Sequence, residues 1–219
     1  MKPIVIWGIG GHAREVAQLL ADIEAHQPGS WALQGFVVDA HATTKNPSPL
    51  PGPLLGDMAW WLAHPDVWGV VAVGNPALRC EITNRLLKAN PALRLATLIH
   101  PSAWVAASAH VGQGSVVFAK ACLNAQVQVG QHAIINLACT LSHDTVLENH
   151  VSLGPGVHLC GGVRIAEQTE LGAGVNVLPN IQIESGVTVG AGAVVTRSLP
   201  AGVTAMGVPA KVPRHILCE

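Results

Sequence analysis

Charge is scarce in this chain. Asp, Glu, Lys and Arg make up 11% of its 219 residues against 49% hydrophobic residues, so the fold must bury an unusual amount of apolar surface. A net charge of −1 offers no basic face and argues against nucleic acid as a partner. Despite the apolar content, no run reaches the length of a membrane span, and the first residues do not read as a secretory signal. The expectation is a cytoplasmic protein with no membrane span. Cysteine chemistry is also thin. Cys80, Cys122, Cys139, Cys160 and Cys218 form no C-x-x-C pair and no metal-ligand spacing. An odd count without an export signal predicts reduced thiols, no disulfide framework and no metal.

What is abundant is period. Counted in sixes from Val105, the first positions run through Val111, Val117, Leu123, Val129, Ile135 and so on to Val195, and all sixteen are Val, Leu or Ile. The fifth positions, from Ala109 and Ser115 to Ala193 and Leu199, are nearly all small or β-branched. A six-residue period is neither helical nor simply alternating. It suits a flat strand followed by a corner, three sides closing a triangular coil with the aliphatics stacked inside. Sixteen hexads make about five coils, enough for a continuous core. Glycine recurs at second and fourth positions, for example Gly112, Gly114, Gly130, Gly154, Gly156 and Gly190. Corners require positive φ, which glycine accepts without a Cβ clash. His132 and His150 fall at fourth positions and are expected as exposed corners, and Trp104 as a cover over the first coil.

Residues 1–100 do not follow this period. Ile4 to Trp7 reads as a buried strand, followed by a glycine turn and a helix from Arg14. Gln34 to Val38 is a second strand closed by Asp39, residues 40–53 a proline-rich loop, and Gly69 to Gly74 a further strand. Asp57 reads as the N-cap of a short helix through Trp60 and Trp61, and Asn75-Pro76 as the start of a helix to about Lys88. Arg94 to Ile99 is expected to be the last strand. Strands alternating with helices predict a small parallel α/β sheet of Rossmann type. The turn Gly8-x-Gly10-x-x-Ala13 fits the dinucleotide fingerprint in its Ala variant, where backbone N–H groups at a helix start meet phosphate. Asp39 is a candidate for a ribose or base contact, or simply ends its strand. Gly74 and Asn75 lie at the mouth of a later strand. Arg79 reads as a phosphate partner or a solvated helix face. Trp60, Trp61 and Trp68 read as packing in preference to a base-stacking platform.

The glycine turn with His12-Ala13-Arg14-Glu15-Val16, the His143-Asp144 pair, and the ending Gly190-Ala191-Gly192-Ala193-Val194-Val195 … Gly207-Val208-Pro209-Ala210-Lys211 resemble one family. It is the bacterial sugar O-/N-acetyltransferase family of the hexapeptide-repeat acyltransferases. It includes the sialic acid O-acetyltransferases and the nucleotide-linked amino-sugar N-acetyltransferases. The resemblance covers essentially the whole chain. It implies a nucleotide-sugar-binding domain over 1–100 and a left-handed parallel β-helix with a C-terminal tail over 101–219. The handedness is an exception to the usual right-handed crossover. It implies a homotrimer with acetyl-CoA as co-substrate, held by residues including Gly161, Gly190 and Lys211. The nucleotide sugar would be held by Gly8, Gly10, Gly11, His12, Asp39, Gly74 and Asn75. His143 would be the general base, Asp144 its orienting acid, and the Gly161 N–H a donor to the acetyl carbonyl. The acceptor implied is a nucleotide-linked 4-amino-4,6-dideoxy sugar of surface glycans. The alternatives are a sugar hydroxyl such as that of a sialic acid, or a scaffold that has lost the chemistry. Several relatives carry a second histidine nine residues after the base, where this chain has Ser152. Hexapeptide-repeat carbonic anhydrases hold zinc through three histidines, but His132, His143, His150 and His158 do not have that spacing.

Overall fold

The computed structural model describes residues 1–40, 42 and 49–213. It divides into two units, Met1–Pro101 and Ser102–Glu219. In the first, the elements are β1 (Lys2–Trp7), α1 (Gly11–His26), β2 (Trp31–Val37), β3 (Leu54–Gly56), α2 (Met58–Leu62), β4 (Trp68–Val71) and α3 (Pro76–Ala89). The sheet order is β3-β2-β1-β4, parallel throughout. β1 is central, and Ile4, Val5, Ile6 and Trp7 are all buried. A strand covered on both faces reads as an unbroken apolar run, as this one does. Both expected N-caps form. The Ala59 N–H donates to Asp57 Oδ1 at 2.9 Å and the Leu78 N–H to Asn75 Oδ1 at 2.9 Å.

Two expectations change here. β3 was not foreseen; it follows the proline-rich loop, of which residues 41 and 43–48 lie outside the described residues. Arg94 to Ile99 is not one strand. Leu95 makes a single bridge to Gly69 near the start of the short β4, and Leu98–Ile99 is a separate two-residue strand. Trp61 and Trp68 are packing residues. A Cβ on Gly69 would lie 1.9 Å from the Trp61 ring, so the strand passes flush against a fully buried indole. Trp68 meets Trp31 edge-on at 5.8 Å.

The second unit is a left-handed parallel β-helix of two-residue strands. Each strand pairs with the one 18 residues on; Cys122–Leu123, Thr140–Leu141, His158–Leu159 and Asn176–Val177 form one stack. Three such stacks make the three faces. The hexad first positions point inward in columns, and the fifth positions, such as Ala121, Val157 and Val187, fill the corners from inside. Each buried aliphatic contributes roughly 1.5–3 kcal/mol by leaving water.

The corners show why the period is six. Every fourth position from Gly114 to Gly192 has positive φ, and eight of them are not glycine, among them Lys120, His132, Asp144 and His150. The cost is offset by stacking, because the corner N–H reaches the coil before it. The Asp144 N–H donates to the Ala125 carbonyl at 3.1 Å and the Gly162 N–H to that of His143 at 3.0 Å. The second-position glycines have another cause. A Cβ on Gly112 would lie 2.5 Å from the Gly130 carbonyl, and one on Gly130 2.6 Å from the backbone of Glu148. They permit close stacking, not an unusual φ. His132 and His150 are not exposed corners. Their side chains are buried, 3% and 7% exposed, with rings stacked at 5.0 Å along successive coils. The bare Gly114 leaves room for His132, since a Cβ there would lie 2.2 Å from its Nδ1. Trp104 is 55% exposed. Among the described residues, no helix is long and apolar enough to cross a membrane.

Candidate active site

In the first unit, the parallel sheet ends at a cavity of about 650 Å³ above the C-terminal edges of β1, β2 and β4. Gly8, Gly10, Gly11, His12, Asp39 and Gly74 all line it. This is the crevice where open parallel sheets bind ligands. Gly8 is imposed by the fold, with φ at +131° and no room for a Cβ, which would sit 2.8 Å from the Ala72 carbonyl. Gly10 and Gly74 are not, because a Cβ on either would meet nothing within 4 Å. Their bareness keeps the cavity open instead. α1 starts at Gly11 behind an N-cap, Gly10, that supplies no side-chain hydrogen bond, and its first turn holds no acid. Its N–H groups therefore suit an anion.

Two polar side chains at the cavity are held from behind. His12 Nδ1 lies 3.0 Å from Glu15 Oε2 one helical turn on. That hydrogen bond, with the imidazole's charge, holds the Glu15 carboxyl below the usual carboxylate range. Asp39 Oδ2 accepts from Arg85 Nη2, reached from α3, while the same guanidinium lies over the Trp7 ring at 5.8 Å. Neither pairing was read from the sequence. The first has the i, i+3 spacing that could have shown it; the second spans 46 residues. Asn75 is not among the cavity-lining residues, and its side chain is engaged in capping α3. Arg79 is neither a phosphate partner nor a solvated residue. It is 1% exposed, and its Nη1 donates to the Val73 and Gly74 carbonyls at 2.7 and 2.9 Å, which pins the loop at the cavity's edge.

In the β-helix, His143 and Asp144 project from a corner, 67% and 63% exposed. His143 Nδ1 lies 2.8 Å from Asp144 Oδ2. A carboxylate only accepts, so Nδ1 carries the proton and Nε2 is left with its lone pair. Asp144 takes the positive φ common to the fourth positions. Gly161 sits one coil on. A Cβ there would lie 2.5 Å from His143 Cε1 and Nε2, so the basic nitrogen rests over a bare backbone. Among the described residues the Gly161 N–H has no acceptor, as at other third positions such as His143 and Ala173, while those of Gln131 and Glu167 are taken by Asn149 and Glu148. A base and an unspent donor thus share one spot. Ser152 lies elsewhere, half a coil away and buried, its N–H donating to Thr169. Cys139 is buried, which pushes its thiol up to about 11 and makes it unfit as a nucleophile. No group of three or more His, Cys, Asp or Glu among the described residues could hold a metal.

Gly190 and Lys211 each adjoin Met206. A Cβ on Gly190 would lie 3.0 Å from Met206 Cβ, and Met206 and Lys211 exchange backbone hydrogen bonds at 2.9 and 3.0 Å. This leaves the exposed Lys211 side chain on a fixed backbone.

Residues 3–86 match the family described as the PglD N-terminal domain. A UDP-N-acetylbacillosamine N-acetyltransferase from Bacillus subtilis is 34% identical over 120 residues, 54% of this chain; the match spans about half, 52%, of that relative. Two solved structures match over nearly their whole length. One is a histidine-to-alanine variant of GDP-perosamine N-acetyltransferase from Caulobacter crescentus in complex with CoA and GDP-perosamine. It is 34% identical with a TM-score of 0.85, covering 97% of each chain. The other is the acetyltransferase domain of PglB from Neisseria gonorrhoeae in complex with acetyl coenzyme A, at 35% and 0.84, covering 97% of this chain and 99% of that one.

Proposed function

The chain belongs to the PglD-like sugar acetyltransferases, and from that premise we propose that it transfers acetyl from acetyl-CoA to the amine of a nucleotide-linked amino sugar. The acceptor is a 4-amino-4,6-dideoxy hexose on a nucleoside diphosphate, made for surface glycans. The observation that carries the reading is the shared position of His143 Nε2 and the unspent Gly161 N–H. The amine attacks the thioester carbonyl, and His143 Nε2 takes the amine proton as the C–N bond forms. The carbonyl oxygen becomes an oxyanion that accepts from the Gly161 N–H. Collapse breaks the C–S bond, CoA leaves as the thiolate and is protonated, and no acyl-enzyme forms. Asp144 holds the imidazole tautomer and balances the imidazolium.

The first unit binds the nucleotide sugar, its diphosphate at the uncapped start of α1 and its ribose or base at Asp39. Gly190 and Lys211 serve acetyl-CoA, the lysine as a cation for its phosphates. Assembly as a homotrimer is part of the same reading. A thiol-release assay with acetyl-CoA and a panel of UDP- and GDP-linked 4-amino sugars, sialic acid and its CMP form tests it. Release with an amino sugar, falling about 10²–10⁴-fold in His143→Ala while the trimer persists, is the expected outcome. Release only with sialic acid or its CMP form moves the reaction to O-acetylation. No release and no acetyl-CoA binding would leave a scaffold.

A further inference from the structure

A second cavity of about 380 Å³ adjoins the first, sharing Ile9, Val38 and Asp39 with it and adding Leu54, Asp57 and Trp60 from β3 and its flank. Asp39 therefore stands at the junction of two lobes. In parallel sheets of this kind the phosphates lie at the glycine turn and the acid closing the second strand faces the ribose. A ligand laid out in that order, with diphosphate at Gly10 and Gly11 and ribose at Asp39, has its base in the second lobe.

We propose that this lobe is the nucleobase subsite and that Trp60 is its stacking wall, an inference that rests on the nucleotide-sugar reading above. Trp60 differs from its neighbours in how it is held. Trp61 is fully buried, and its Nε1–H donates to the Val67 carbonyl. Trp60 is half-buried and lines the lobe. Its indole is braced by the His64 imidazole, with ring centroids 4.1 Å apart and planes at 20°. His64 is itself tied to the Trp60 carbonyl through Nδ1 at 2.7 Å. Beneath, a Cβ on Gly56 would press to 3.1 Å from Trp60 Cβ, so the bare glycine fixes where the ring starts. The platform is set before any ligand arrives, which lowers the entropy cost of stacking a base on it. The carboxylates of Asp39 and Asp57 at the rim accept from N–H groups and offer no donor to a base.

The test is titration calorimetry of the full chain with GDP, UDP and inorganic pyrophosphate. Trp60→Ala is expected to weaken the nucleotide the parent binds by about tenfold and to leave pyrophosphate and acetyl-CoA binding unchanged. Trp60→Phe, which keeps a ring, should restore most of the loss. Unchanged nucleotide affinity in Trp60→Ala overturns the subsite and leaves the nucleotide-sugar reading standing. An equal loss for pyrophosphate and nucleotide also overturns it, because the defect is then general. A parent chain that binds neither nucleotide overturns both readings.

Discussion

Two sets of glycines, one at the α/β cavity and one at the second hexad positions of the β-helix, serve opposite ends. In the α/β unit, Gly10 and Gly74 border empty space, and nothing in the protein would object to a methyl group there. In the β-helix, Gly112 and Gly130 are pressed to 2.5–2.6 Å of the next coil's backbone. A glycine that neither packing nor a positive φ requires speaks for a ligand; one that either requires speaks for the fold. Gly161 stands between the two cases. It lies in the β-helix, but what fills the space beside it is the His143 imidazole and not backbone.

Substitutions at these positions separate the roles. Gly161→Ala should have the largest effect. The new methyl displaces a flexible side chain end, so stability in urea should stay within about 0.5 kcal/mol of the parent. Thiol release should fall about 10²–10⁴-fold, matching His143→Ala; full activity would separate Gly161 from the chemistry. Gly130→Ala should do the reverse. Its clash is with rigid backbone, and the urea midpoint should drop by the equivalent of about 1–3 kcal/mol. Gly10→Ala should leave the urea midpoint unmoved but weaken the nucleotide about tenfold in calorimetry, because the methyl occupies the diphosphate's place. Loss of stability there would mean that packing, not a ligand, requires Gly10.

The smallest effect concerns acid. Glu15 has its carboxyl held low by His12. A depressed folded value stabilises the fold above the ordinary carboxylate range and loses that contribution as pH falls through the folded value. Glu15→Gln should cost less than about 1 kcal/mol at neutral pH, since the pair is partly exposed, and the cost should vanish in acid. A difference that persists at low pH would assign the loss to packing.

The β-helix was legible almost to the residue, because a period of six repeats its message at every turn. The α/β unit was legible where local chemistry decides, as at the Asp57 and Asn75 caps. It was not legible at Arg94 to Ile99, where an apolar run meets only a short strand edge, or at β3, three residues behind a proline-rich loop. At the candidate site, the glycine turn and the His143-Asp144 pair are contiguous in sequence and therefore visible there as motifs. Arg85 behind Asp39, and Gly161 as the floor for His143 Nε2, depend on distant segments meeting. The burial of His132 beside Gly114 and its stacking on His150 join residues of successive coils, which hexad position alone does not report.

Because each face recurs every 18 residues, the β-helix can change length without disturbing its geometry only in steps of three hexads. Deleting one hexad ahead of His143 would still leave an aliphatic at every inward position and a tolerant residue at every corner. The downstream chain, however, would be rotated a third of a turn about the helix axis, and the imidazole would face a different direction. Foldability is indexed in sixes and, on the proposed chemistry, catalysis in eighteens, so insertions and deletions in such a chain can preserve the body of the protein and still turn the His143 imidazole to another face.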